Sequence, residues 1–413
     1  MQFAEYNISE DIKENLDRMG FKRPTDIQFK SIPPILKGND LLAIAQTGTG
    51  KTAAFVIPIL QLLLPKGGAR PLEEVSCVVM APTHELAMQI HEVFSSIAKK
   101  TGLSSLCIHG GVDQGPQIER LKKGVPIVIA TPGRLFDLMS QGYLKLERVR
   151  ILVLDEADHM LDLGFLKDIQ ELASRLPQKR QTLFFSATIN TKIKRLAYSL
   201  VNNPIRIQIS PKDPVARNIH HSVAFIEMDD KRFFLERLIK ENPKFKILVF
   251  VRTKVRAERV QKALTRVNQE SITIHSDKEQ KERFSVMKKF REGQVLILIA
   301  TDVSARGIDI PDVDFVVNYD LPEQTENYVH RVGRTGRGTR KGQAISFCSE
   351  EEKPLLKEIE SYLDQDIQIL EIAKTDYKDT LEFKSEDETD WKSLMRKAEE
   401  EALEKPKKKK KKR

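Results

Sequence analysis

Four large apolar residues run directly into acid in the stretch ILVLDEADHM, Ile151 to Met160. Asp155, Glu156 and Asp158 fall within four residues of one another. Carboxylates at the end of a buried strand are costly to ionise unless something neutralises them. A cation, a basic partner or plain water could each do so. A second stretch, LLAIAQTGTGKT (Leu41 to Thr52), joins an apolar run to a glycine-containing turn and a helix start. Glycines Gly48 and Gly50 let backbone N–H groups turn inward on a phosphate, and the helix N-terminus adds its dipole. Thr47 and Thr49 lie in the same turn. Lys51 then reaches the outer phosphates and Thr52 a magnesium ion. The full pattern is GxxxxGK[ST], and Ala45 stands where its first glycine would be.

Each stretch has a bland alternative. The first reads as a solvated helix N-terminus, where acids suit the dipole; the second reads as an ordinary strand, turn and helix. Together they fit the two halves of a P-loop nucleotidase: Asp155 holds the magnesium ion, and Glu156 orients and deprotonates the attacking water. No HExxH or histidine cluster supports a metalloprotease or a two-metal nuclease.

Such residues need strand ends to stand on. Short apolar runs recur along the chain: CVVMAPT, PIVIATP, ILVLDEAD and TLFFSAT, then KILVFVRT, SITIHS, VLILIATD, DFVVNYD and QAISFC. Amphipathic stretches such as THELAMQIHEVFSSIAKK separate them. Strands buried on both faces and alternating with helices predict mostly parallel α/β sheets, and two series predict two similar domains. Ligands bind such sheets at the carboxyl ends of the strands, where most of these runs end in small or polar residues. Pro204, Pro211 and Pro214 mark the break. The predicted spans are residues 1–208 and 217–375, followed over 376–413 by a charged, largely disordered tail with room for one short helix.

The formal net charge is +9, but the last nine residues, KPKKKKKKR, carry eight positive charges and leave +1 for the rest. Any basic nucleic-acid surface on the body must therefore be local. The lysine run reads either as a solubilising end or as a nonspecific RNA tether. Cys77, Cys107 and Cys348 form no CxxC, so a reducing, cytoplasmic setting is expected. No stretch is long and apolar enough to span a membrane.

The ordered motifs resemble those of the DEAD-box ATP-dependent RNA helicases of superfamily two, with a general look closest to bacterial RhlE-type members. The likeness runs to about residue 375. GFKRPTDIQ is similar to the Q motif, with Phe3 as its upstream aromatic, and AQTGTGKT to motif I. APTHELA, the Gly110–Gly111 pair, TPGR, DEAD and SAT follow in order, then LVFVRT, HSDKEQKERFSVMKKFREG, ATDVSARGIDIP and YVHRVGRTGRG. The resemblance implies two tandem RecA-like domains, ATP and Mg2+ as ligands, and RNA as the partner of a monomer.

It also implies roles. Phe21 stacks on the base, Arg23 lies in the nucleotide site, and the Gln28 amide pairs with adenine. Asp309 meets the ribose, and Arg334 and Arg337 are arginine fingers. Asp158 and His330 link the closed domains, Ser186 and Thr188 couple the nucleotide state to strand separation, and Arg331 belongs with this coupling set. RNA is met by Pro82, Thr83, Gly110, Gly111, Thr131, Gly133 and Arg134 from the first domain. From the second it is met by Arg252, Gln280, Thr301 and Arg306. Such contacts read phosphate and 2′-hydroxyl, not base identity. His84 stands where the family has arginine, and Ser276 where it has glycine. The implied activity is RNA-stimulated ATP hydrolysis coupled to local, non-processive unwinding or ribonucleoprotein remodelling. The rival is an ATP-gated RNA clamp.

Overall fold

The computed structural model describes residues 2–45, 48–65, 73–209, 219–302, 313–336 and 341–382, without the side chains of Gln280, Lys374, Asp376, Asp379 and Glu382. Helices α1 (Glu10–Arg18) and α2 (Asp26–Leu36) lead into the first sheet. Its strands are β1 (Leu41–Ala45), β2 (Cys77–Met80), β3 (Ser105–Ile108), β4 (Ile127–Ala130), β5 (Ile151–Leu154), β6 (Gln181–Ser186) and β7 (Ile205–Ile209). Between them come α3 (Lys51–Leu63), α4 (His84–Ile97), α5 (Gly115–Lys122), α6 (Pro132–Ser140), α7 (Ala157–Asp162), α8 (Leu166–Arg175) and α9 (Thr191–Leu200). All seven strands are parallel, in the order β3-β4-β2-β5-β6-β1-β7.

The second sheet holds β8 (Ile219–Phe225), β9 (Ile247–Phe250), β10 (Ile272–Ile274), β11 (Ile297–Ala300), β12 (Phe315–Asn318), β13 (Gly342–Cys348) and β14 (Gln368–Ile369). Helices α10 (Lys231–Glu241), α11 (Lys254–Arg266) and α12 (Gln280–Arg291) alternate with its first strands. The helices Thr325–Val332 and Lys353–Leu363 follow later. This sheet is also parallel, ordered β10-β11-β9-β12-β13-β8-β14.

Sequence pattern explains the layers. β1, β2, β4, β5 and β6 are buried at every residue, as strands covered on both faces must be. The edge strand β7, IRIQI, instead buries Ile207 and exposes Ile205, Arg206 and Gln208. One apolar cluster packs α2, α3 and α4 on one face of the first sheet, and a second packs α6, α8 and α9 on the other. In the second half α10 and α11 share one face, while α12 and the two later helices share the opposite face.

The charged segment expected after residue 375 begins inside a helix. Helix Lys374–Glu382 docks on α10, with the Tyr377 ring 4.9 Å from Phe234 and its hydroxyl 2.8 Å from Asp230 Oδ2. An aromatic anchor inside a charged segment is enough to hold one helix. The lysine run and the segment joining the two sheets lie outside the described residues.

Candidate active site

Register places the first-half motifs side by side. Ile44 pairs with Ser186, Leu154 with Phe184, and Met80 with Leu154. The carboxyl ends of β1, β6 and β5 therefore present the glycine turn, the SAT segment and the acid cluster on one rim.

Gly48 and Gly50 both take positive φ, 82° and 93°. Gly50 must also be small, because a Cβ there would lie 2.5 Å from Gln28 Nε2. Thr47 lies outside the described residues. Lys51, the first residue of α3, is buried, yet its Nζ has no hydrogen-bond partner. An unpaired buried ammonium is costly. A bound phosphate would satisfy it.

Asp155 follows β5 and is 2% exposed. Burial pushes its carboxyl up to about 6, against the pull of Lys51. Its Oδ1 accepts the Glu156 N–H at 3.0 Å. Glu156 sits at φ 50°, ψ 50°, a left-handed conformation rare for a residue with a side chain and often found where a site is held under strain. Burial pushes its carboxyl up, but His159, Lys51 and Arg334 outweigh this and bring it down to about 2. His159 Nδ1 lies 3.5 Å from Glu156 Oε2, long for a hydrogen bond. Sequence reading gave His159 no role. The only signal was its position three residues after Glu156 on one helical face.

The structure gives several of these side chains partners within the protein. The Gln28 amide is already in use: Oε1 accepts the Thr25 N–H at 2.9 Å as part of a capping box, and Nε2 donates to Gly50 O at 3.1 Å. Gln28 is 2% exposed, and these two bonds tie α2 to the phosphate turn. Phe21 is half-buried and edge-on to Phe3 at 6.1 Å, and Arg23 is exposed.

The Asp158 carboxylate is taken up by the SAT segment, accepting from Ala187 N and Thr188 N at 3.0 Å each and from Thr188 Oγ1 at 3.2 Å. Ser186 Oγ donates to Thr188 O. Asp158 thus anchors its own domain. His330 and Arg334 of the second domain line a cavity of about 270 Å³ with it and with Glu156 and His159.

Arg331 does not reach that cleft. It is 2% exposed, clamped by Asp302 (Nη2 to Oδ2, 2.7 Å) and Asn318 Oδ1, and lies over the Phe250 ring. A guanidinium on the buried side of its helix needs such internal acceptors. Asp309, Arg306 and Arg337 lie outside the described residues.

The expected RNA contacts that are described stand past the carboxyl ends of β2, β3, β4, β9 and β11. Thr83 caps α4, its Oγ1 accepting from Leu86 N. Pro82 precedes it, and His84 stacks on His109 at 4.9 Å beside Gly110. Gly111 has φ 72°. Thr131 starts α6, and nothing lies within 4 Å of where a Gly133 Cβ would be, so only a close-lying ligand would ask for glycine there. Arg134 donates to Val112 O at 3.0 Å and holds the glycine pair in place. Thr301 is buried at the end of β11. Arg252 is partly spoken for, with Nη2 on the buried Glu352 at 3.0 Å. Two residues that no motif reading singled out close the groove. Arg283 of α12 pairs with the buried Glu85 of α4 at 2.9 Å, and Phe284 lies edge-on to His109.

The rim that holds an unpaired lysine beside an acid cluster, faced by an arginine from a second parallel-sheet domain, defines a nucleotide-driven two-domain motor. Residues 25–196 match the DEAD/DEAH box helicase family, and residues 230–339 match the helicase conserved C-terminal domain. The ATP-dependent RNA helicase RhlB of Shewanella amazonensis is 40% identical over 372 residues, 89% of this chain and 85% of that protein. The CshA helicase of Geobacillus kaustophilus is 42% identical over 360 residues, 87% and 76% of the two chains. Among solved structures, S. cerevisiae Dbp5 bound to RNA and ADP BeF3 superposes with a TM-score of 0.81 at 31% identity, covering 92% of this chain and 98% of that one. A DEAD box protein of Methanococcus jannaschii, 36% identical, gives 0.53 over 90% and 99%. The chain belongs to the DEAD-box family of ATP-dependent RNA helicases. Among the described residues no helix is long and apolar enough to cross a membrane.

Proposed function

We propose that this chain couples RNA-stimulated ATP hydrolysis to the local opening of short RNA duplexes. The carrying observation is the buried, unpartnered Lys51 ammonium beside Asp155 and Glu156, with Arg334 of the other domain lining the same cavity as Glu156. Lys51 receives the outer phosphates, and Arg334 with Arg337 neutralises charge as the phosphoryl group leaves. Glu156 is ionised at neutral pH, the form that can take a proton from water.

Thr52 and Asp155 would hold Mg2+, which neutralises phosphate charge when bound. The buried Asp155 carboxyl fits that demand, because it lacks an adequate counter-charge without a cation. Among the described residues no cluster of three metal-ligating side chains exists. Adenine recognition through Gln28 requires its bond to Gly50 to exchange for the base, which would couple base choice to the phosphate turn.

ATP and RNA both favour the closed arrangement, so each tightens the other. The higher likeness to RNA-bound Dbp5 than to a protein of greater identity supports reading this conformation as closed. One chain carries both halves of the site, so a monomer suffices. The test is ATP turnover with RNA or DNA added, run beside strand displacement by wild type and Glu156→Gln. Stimulation by RNA, and displacement lost in Glu156→Gln, are expected. Turnover indifferent to RNA would sink the proposal.

A further inference from the structure

Helices α11 and α12 lie on opposite faces of the second sheet and both pack against its edge strand β10. Each carries five basic residues and one acidic residue. The two helices therefore hold a net +8, in a chain whose charge without the lysine run is only +1. The rest of the body is acidic, and one edge is strongly basic.

A solvated charged face would pair its cations along the helix, as Arg18 does with Glu14, Arg175 with Glu171 and Arg237 with Glu241. Here Lys262, Arg266, Lys289 and Arg291 are exposed and make no ion pair among the described residues. The edge also adjoins the groove. The N-terminus of α12 meets the first domain through Arg283–Glu85 and Phe284–His109, and α11 starts two residues after Arg252.

We propose that this β10 edge is an auxiliary RNA track, which holds the backbone of the strand after it leaves the groove. The inference rests on RNA as the ligand of the groove. Unpaired cations straddling a sheet edge suit a polyanion with evenly spaced charges and carry no base readout. Strand leaving the groove would be kept from re-pairing while it lies there.

The test compares wild type with the variant Lys262→Ala, Arg266→Ala, Lys289→Ala, Arg291→Ala. A control removes equal charge from the far end of the first domain (Lys99→Ala, Lys100→Ala, Lys122→Ala, Lys123→Ala). Binding is measured with single-stranded RNA of about eight and of about thirty nucleotides across a salt series. The edge variant should bind the long RNA about tenfold more weakly, with its salt slope reduced by about 2 to 3, while short-RNA affinity and short-RNA-stimulated ATPase stay unchanged. The control should match wild type on both. Unchanged long-RNA binding by the edge variant would overturn the proposal and leave the edge to an acidic protein. Equal weakening on both lengths would overturn it too, by placing these residues in the groove. Failure of short RNA to stimulate the wild type would instead strike the proposed function.

Discussion

The two halves of this chain share one strand order and differ in what stands at two equivalent places. In each, the first strand leads to a helix that opens with a buried lysine, Lys51 on α3 and Lys231 on α10. Lys51 Nζ has no partner. Lys231 Nζ donates to Glu352 and, at 2.8 Å, to Tyr319 O. In each, an acid follows the strand paired centrally in the sheet. Asp155 is pushed up by burial, whereas Asp320 accepts the Arg252 N–H at 2.9 Å and pairs with Arg256 at 3.2 Å. The second half completes its own charges with Glu352 and Arg256. The first half leaves the same positions unsatisfied, and an unsatisfied buried group is a request for a ligand.

The largest test of that contrast removes what the second half lends to the first. Arg334→Ala should lower RNA-stimulated turnover by about a thousandfold or more, with little change in ATP affinity. Phosphate release at saturating ATP reads it. A loss confined to KM would mean that Arg334 binds ATP without acting on the transition state.

Exchanging the two lysines for methionine sharpens the comparison next. Lys231→Met leaves Glu352 buried without its cation and should cost the second domain about 3–5 kcal/mol. Lys51→Met breaks no hydrogen bond, and Asp155 can take up a proton in response. It should change stability by less than about 1 kcal/mol while abolishing turnover. Urea melts that resolve the two domains, run beside ATPase assays, decide it. Equal stability losses would erase the distinction.

How much of this was legible beforehand follows the same line. Sequence shows the glycine turn, DEAD and SAT because their residue types are chosen for a ligand and interrupt the apolar pattern. The alternation of greasy runs and amphipathic stretches likewise shows the sheets. What it hides are side chains whose partners are distant in sequence. Arg331 reads as a cleft residue until Asp302 and Asn318 are seen to enclose it. Gln28 reads as a base reader, and nothing in the sequence shows that Thr25 and Gly50 also hold its amide. Tyr377 sits in a charged segment that reads as room for one short helix, and the sequence does not show that Phe234 is what it packs against.

Contact between the halves gives a smaller effect. Glu85→Gln removes the charge from the pair with Arg283, at the RNA end of the cleft. Closure should weaken by about 1–2 kcal/mol, seen as roughly tenfold poorer RNA affinity in the presence of a non-hydrolysable ATP analogue. Affinity without nucleotide should hold, since the open form does not use the pair. If both fall together, Glu85 shapes α4 and the RNA groove rather than closure.

The smallest effect belongs to a segment that lies in neither half. Residues 405–413 hold eight of the chain's positive charges, outside the described residues. Removing them should leave kcat at saturating RNA unchanged, because every group of the proposed ATP site remains. If the run tethers RNA, the apparent affinity falls and the salt slope flattens, since each phosphate it neutralised had released a counterion. If it only keeps the protein soluble, the slope stays as it was and the tether is rejected. The edge formed by α11 and α12 offers an internal reference. Deleting the tail and substituting the edge should lower the slope additively if they hold separate stretches of strand, and less than additively if the same phosphates pass from one to the other.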